Sequence, residues 1–348
     1  MQRKKKFVTT LSFAICTITL IGFIIWNNVY AKAAKSVPVS RQYVTVSGDV
    51  FGIRLYSDGI LVVGTNYVKT KSGSENPAQE AGLKVGDVIK AINGRRVTSN
   101  SDFGAAVNAS GGNEIELLVC RNNEDRVVRF FPVLSAEDNK YKAGLWVRDS
   151  TAGIGTLTYF DNNSLEFAGL GHGICDVDTG ELMPLLGGDT VYARITGSYK
   201  GTKEDTGELC GVFSDEILGP LTENTDFGVF GSISGDQISG TVMPVAMRDE
   251  VRTGRAKIIS TVDENGPKEY EVEITRIYRN SDSSKCMAIT VTDKKLIEKT
   301  GGIIQGMSGS PIIQDGMLVG AVTHVLVHDP LRGYGIFAEK MVLRSKNE

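Results

Sequence analysis

The stretch GGIIQGMSGSPIIQDG, residues 301–316, sets Ser308 and Ser310 two positions apart among glycines and ahead of Pro311. A tight turn uses glycine and proline, but does not need this whole string. A serine hydroxyl becomes a nucleophile only when a base takes its proton. The oxyanion made by its attack needs donors, which backbone N–H groups supply well. Glycine beside the serine lets the backbone bend so that those groups converge. The base must come from three histidines. His172 lies between Gly171 and Gly173 in FAGLGHGIC, where small neighbours keep an imidazole accessible at a strand end. His324 and His328 follow the serines, in AVTHVLVHDP. An acid that holds the imidazole tautomer has three candidates: Asp226 in NTDFGVFG, Asp293 in TVTDKKL, and Asp176 close to His172 in sequence. Without such partners the same string is a hairpin that happens to carry two serines.

The elements that must position these residues are mostly strands. The chain has 348 residues, enough for two domains, and 41% hydrophobic residues, an ordinary core-forming content. Forty glycines against nine prolines, with many Val, Ile and Thr, predict short strands and tight turns. From about residue 140 onward, runs such as GIGTLTYFD, TVYARITGSY, DFGVFGSI and EYEVEITRIY alternate with turn signals, which predicts an all-β barrel or sandwich. DKKLIEKTGG, residues 293–302, is the one late segment with helical spacing, and a glycine pair ends it. After the serines, PIIQDGMLVGAVTHV reads as a hairpin around Asp315 and Gly316. A net charge of −3 gives no electrostatic footprint for nucleic acid. No HExxH or CxxC pattern occurs and the histidines are scattered, so no metal and no cofactor are implied.

At the N-terminus Lys4, Lys5 and Lys6 precede an apolar run, 7–29, whose first twenty residues carry no charge. That length spans a bilayer, and the lysines orient the following chain out of the cytoplasm. A cleaved signal peptide is the alternative, with small residues at 31–33. The segments predicted are a basic tail at 1–6, an anchor or signal at 7–29, a linker at 30–45, a first domain at 46–135 and a second at 136–348. The four cysteines beyond the apolar run (Cys120, Cys175, Cys210 and Cys286) are scattered, which favours free thiols.

Within the first domain, NPAQEAGLKVGDVIKAINGRRV predicts a short helix from Pro77, a helix end at Gly82 and two strands about an Asn93–Gly94 turn. That string resembles PDZ domains of the bacterial protease-associated kind. The resemblance places VFGIRL in the carboxylate-binding loop, with Phe51, Gly52 and Ile53 offering N–H groups, and an extended peptide added as a strand beside it. GMSGSP resembles the GDSGGP turn of chymotrypsin-like serine proteases. This implies a chymotrypsin-like double β-barrel, Ser308 as nucleophile, and Gly306 and Ser308 as oxyanion-hole donors. The chain order of that class, His then Asp then Ser, points to His172, and to Asp226 by its intermediate position. Met307 stands where activation by a new N-terminus would need Asp.

Taken together, the anchor, the PDZ, GLGHGI, LIEKTGGIIQGMSGSPIIQDG and VGAVTHV resemble the stage IV sporulation protein B peptidase family. That resemblance implies a triad of His172, Asp293 and Ser308, so Asp293 and Asp226 remain in competition. It also implies export into the forespore intermembrane space and cleavage of a membrane-anchored regulatory subunit. That cleavage releases an intramembrane protease acting on a precursor sigma factor, and self-cleavage is expected too. A peptide segment bound by the PDZ, and self-association through it, are the partners expected. A catalytically idle peptide-binding adaptor is the alternative from another class.

Overall fold

Two 16-residue strands, Val50–Thr65 and Leu145–Phe160, organise the molecule. The computed structural model describes residues 41–233 and 239–344. The apolar run at 7–29 lies outside them, and among the described residues no helix is long and apolar enough to cross a membrane.

The first halves of the path from Val50 and the last part of Leu145–Phe160 pair antiparallel, from Val50↔Thr156 to Tyr56↔Ser150. From there the pairings run through Glu166–Gly169, Gly228–Ser232, Glu208–Thr225 and Leu185–Tyr199 and return to Val50–Thr65, closing a ring of six strands. Phe51, Ile53, Leu55, Leu157, Phe167, Leu221 and Val229 fill it. Phe51 and Phe167 meet edge to face with centroids 5.7 Å apart. A second closed barrel follows the order Gly254–Ser260, Lys268–Ile277, Met287–Val291, Asp329–Phe337, Met317–Leu326 and Pro311–Gln314. Its core includes Ile258, Val272, Ile274, Met287, Ile289 and Val322. Lys268–Ile277 shows the clean alternation of a strand with one buried face. The helical spacing seen late in the sequence appears as the helix Lys294–Thr300, closed by Gly301 at φ +77°.

A third core belongs to the PDZ, with Ile60, Val62, Ile89, Phe103, Val107, Ile115, Leu117 and Val119. The helix Pro77–Glu80 begins with Pro in its first turn, and the Asn76 side chain accepts from the Gln79 N–H. Gly82 turns left-handed at φ +82°, as do Asn93 and Gly94 between the two short strands. The helix Asn100–Ala109 is capped by Ser99 and buries Phe103 and Val107. The late half of Val50–Thr65 and the early part of Leu145–Phe160 pair in the PDZ, so both long strands carry the chain between the PDZ and the first ring without a break.

The expected carboxylate-binding loop is not where the sequence pattern put it. Phe51, Gly52 and Ile53 lie inside the first ring, paired on one side with Gly155, Ile154 and Gly153 and on the other with Tyr192, Val191 and Thr190. With both edges taken, their backbone N–H groups face neighbouring strands and none is left to hold a peptide terminus. The alternation of VFGIRL suits an extended, buried strand as well as it suits a loop. The two ring-filling side chains, Phe51 and Ile53, decided the outcome.

Candidate active site

Ser308 sits on a turn between Gly306 at φ +93° and Gly309 at φ +96°. The first ring clamps that turn. The Thr156 N–H donates to the Ser308 carbonyl at 2.9 Å, Thr156 Oγ1 to the Gly306 carbonyl, and Thr158 Oγ1 to the Gly309 carbonyl at 2.7 Å. A Cβ on Gly309 would stand 2.0 Å from the Thr156 carbonyl oxygen, so only glycine fits this approach between the rings. Just upstream, Gln305 exchanges backbone hydrogen bonds with Gly207 and Leu209 of the first ring. The turn's own bonds run from Met307 N–H to the Ile304 carbonyl and from Ser310 N–H to the Met307 carbonyl, leaving the Gly306 and Ser308 N–H groups unengaged.

The two serines have different surroundings. Ser310 is fully buried, its hydroxyl 3.0 Å from Ser260 Oγ and 2.7 Å from the Met307 carbonyl oxygen. Ser308 is half-buried and opens onto a cavity, donating to the Thr323 carbonyl at 2.8 Å. Met307 is wholly buried in the core of the second barrel.

His172 arrives from the first ring, on the turn that follows Glu166–Gly169. Leu170 and Gly171 both take positive φ there. Gly171 packs against Thr323 and Ile336 of the second barrel, where a Cβ would lie 3.0 Å from the Thr323 methyl. The glycine on the other side has a different task from keeping the imidazole accessible. A Cβ on Gly173 would come within 2.8 Å of the Thr225 carbonyl oxygen, so glycine lets the His172 turn close on the turn that carries Asp226. Asn224 pins that contact: its Oδ1 accepts from the Ile174 N–H, and its Nδ2 donates to the Ile174 and Met183 carbonyls. Nothing in the sequence singled out Asn224, Thr156 or Thr158, because their partners lie 41 to 152 residues away.

His172 Nδ1 lies 2.7 Å from the Gly173 carbonyl oxygen. A carbonyl only accepts, so Nδ1 carries the proton and Nε2 keeps its lone pair. Burial pushes the His172 pKa below its ordinary value, partly offset by that hydrogen bond. The His324 ring stacks at a tilt, 4.9 Å from His172 between centroids, with Nδ1 buried and unpartnered. Burial, then His172 and Lys285, pull its pKa down to about 4. Both imidazoles are thus neutral at neutral pH.

This neutrality has a consequence for stability. The unfolded chain takes up protons on these histidines below the ordinary value of about 6.5, while the folded protein resists until the depressed values. The contribution of His324 is complete above that pH and is lost on acidification toward about 4, and that of His172 is lost in the same direction. Thermal melting of the parent should fall more steeply between pH 6.5 and 4.5 than that of His324→Gln. Parallel slopes for the two would show that His324 has no such role.

One cavity gathers His172, Asp226, Gly306, Ser308 and His324, with Gly153 and Ile154 along one wall. Asp226 is exposed at its rim. Asp293 is not brought to it. That carboxylate caps the helix Lys294–Thr300, accepting from the Leu296 N–H at 3.0 Å and from the Glu271 N–H at 3.3 Å. His328 is also elsewhere, with Nδ1 on the Lys203 carbonyl. Asp176 is buried and paired with Arg148. Cys120, Cys175, Cys210 and Cys286 are free thiols. Among the described residues no His, Cys, Asp and Glu cluster is arranged to hold a metal ion.

The model of the SpoIVB peptidase S55 family matches residues 139–342, well over half of the chain. The chain belongs to that family. The model of the PDZ domain family matches residues 72–121. Serine protease HTRA1 of Xenopus tropicalis is 43% identical over 58 residues, 17% of this chain and only 12% of the relative's length. Among solved structures, the chain is similar to the PDZ domain of the SdrC-like protein Lmo2051 from Listeria monocytogenes. That match has 18% identity and a TM-score of 0.21, and covers 26% of this chain and 87% of that one. The Rv3671c protease from M. tuberculosis in its active form is similar at 11% identity and a TM-score of 0.34, over 56% and 74% of the two chains.

Proposed function

We propose that this S55 peptidase cleaves peptide bonds with Ser308 as nucleophile and His172 as general base. The observation that carries the reading is that the two side chains come from different rings onto one cavity, beside unengaged N–H groups at Gly306 and Ser308. In the resting arrangement Ser308 donates to Thr323. A change of its χ1 rotamer turns the hydroxyl toward His172 Nε2, the ring nitrogen left free to accept. Oγ then adds to the scissile carbonyl carbon while its proton passes to Nε2. The carbonyl oxygen takes the negative charge and is met by the Gly306 and Ser308 N–H groups. The imidazolium returns the proton to the departing amine, and water repeats the sequence to free the enzyme. The Gly173 carbonyl holds the tautomer of His172, and Asp226 is the carboxylate that stabilises the imidazolium from the cavity rim.

The biological setting follows the family. The substrate is a membrane-anchored regulatory subunit, cut outside the cytoplasm in the forespore intermembrane space during sporulation. The cut frees an intramembrane protease to process a precursor sigma factor, and the enzyme also cuts itself. Treatment with a fluorophosphonate, followed by peptide mapping, tests the chemistry without knowledge of the substrate. The expected result is one adduct on Ser308, absent from His172→Ala. A protein that takes up no probe, or takes it on Ser310, would overturn the reading, the first outcome in favour of an idle adaptor.

A further inference from the structure

A PDZ domain binds an extended peptide as an added strand between a sheet edge and a helix, so the state of that edge decides what it can bind. Here the strand Val50–Thr65 has Val88 and Ile89 on one side in its PDZ half. The other side is covered by the chain itself. Leu145, Trp146, Val147 and Arg148 pair antiparallel with Thr65, Gly64, Val62 and Leu61. Leu145 and Val147 pack against the PDZ core that holds Phe103 and Val107, while Trp146 points outward and is 62% exposed. The first turn of the helix Asn100–Ala109 meets the segment on its other flank. Asn100 Nδ2 donates to the Val147 carbonyl, and the Asn100 N–H donates to the Asp149 carboxylate at 2.8 Å.

We propose that residues 145–149 are an internal ligand of the PDZ domain. They occupy the peptide site in cis, with apolar side chains two residues apart directed into the groove and an acidic side chain on the first turn of the helix. A peptide from a partner, or the same segment of another copy, enters only by displacing them, and it carries the same pattern. This goes beyond the proteolytic reading and does not depend on it. The displaced segment leads directly to the catalytic cavity. Arg148 is paired with Asp176 and Asp178 in the loop after His172, and Gly153 and Ile154 line the cavity wall.

The test uses the full chain carrying Ser308→Ala, so that proteolysis plays no part, and a fluorescent peptide of residues 143–150, AGLWVRDS. Gly64 and Trp146 face each other, and a Cβ built on Gly64 stands 3.6 Å from that of Trp146, within the range a disulfide needs. Gly64→Cys with Trp146→Cys should therefore cross-link under mild oxidation, as mass mapping would show. Oxidised protein should not bind the peptide, and reduction should restore binding. Val147→Asp, which weakens the internal strand, should bind it at least about tenfold more tightly than the parent, because a tethered competitor acts at an effective concentration on the order of millimolar. Thermal melting of Val147→Asp checks that the fold survives, and the cross-linked pair carries the test if it does not. Failure to cross-link, equal binding before and after oxidation, or no binding to any form would each overturn the proposal.

Discussion

Ser308→Ala is expected to lower kcat/KM by on the order of 10⁶-fold with little change in thermal stability. Its hydroxyl makes one hydrogen bond, to the Thr323 carbonyl, from a half-buried position that water can reach once the side chain is shortened. Ser310→Ala should do the reverse. That hydroxyl is fully buried and joins Ser260 Oγ to the Met307 carbonyl. Removing it strands a buried partner, at a cost of about 1–3 kcal/mol, while the cavity keeps its nucleophile. Turnover of a short unstructured peptide and melting of each purified variant separate the two effects. An inactive but stable Ser310→Ala beside an active Ser308→Ala would move the nucleophile by two residues.

The serine turn was readable from sequence because its chemistry and its backbone make the same demand. Gly306 and Gly309 are needed both to aim N–H groups and to let the first ring approach. His172 was readable for a partly different reason, since Gly173 serves packing against Thr225 rather than access. The PDZ helices and turns followed from local signals: Pro77, Gly82, and the Asn93–Gly94 pair. What local signals could not supply was pairing across long separations. Whether VFGIRL is a loop or a strand depends on neighbours about 100 and 140 residues later. Nothing in AGLWVRD shows that it lies on the edge of a strand some 80 residues earlier. Asp293 illustrates a signal read for one purpose that served another. An Asp directly before a helical run is the ordinary N-cap pattern, and the structure uses that carboxylate as the cap.

That cap sets the expectation for the acid. Asp293→Asn should remain folded and keep its turnover, since Asn caps a helix about as well as Asp. Asp293→Ala should lose about 1 kcal/mol of stability with turnover unchanged. His172→Ala, by contrast, should lose on the order of 10⁶-fold, as expected for the base of a nucleophile–base pair. Asp226→Asn should fall between these limits. Where a carboxylate holds the imidazole tautomer, its loss costs roughly 10⁴-fold. Here the Gly173 carbonyl already does so, and Asp226 acts from an exposed rim where water weakens its field. A loss of about 10- to 100-fold in kcat is therefore expected, with KM and melting little changed. The acid limb of the pH–rate profile should lie below 6.5 in the parent, because burial disfavours protonation of His172. A folded Asp226→Asn reduced by 10⁴-fold would mean that its carboxylate replaces the Gly173 carbonyl on Nδ1 during turnover. A folded but inactive Asp293→Asn would require the helix cap to open and deliver that side chain to the cavity, at the cost of its bonds to Leu296 and Glu271.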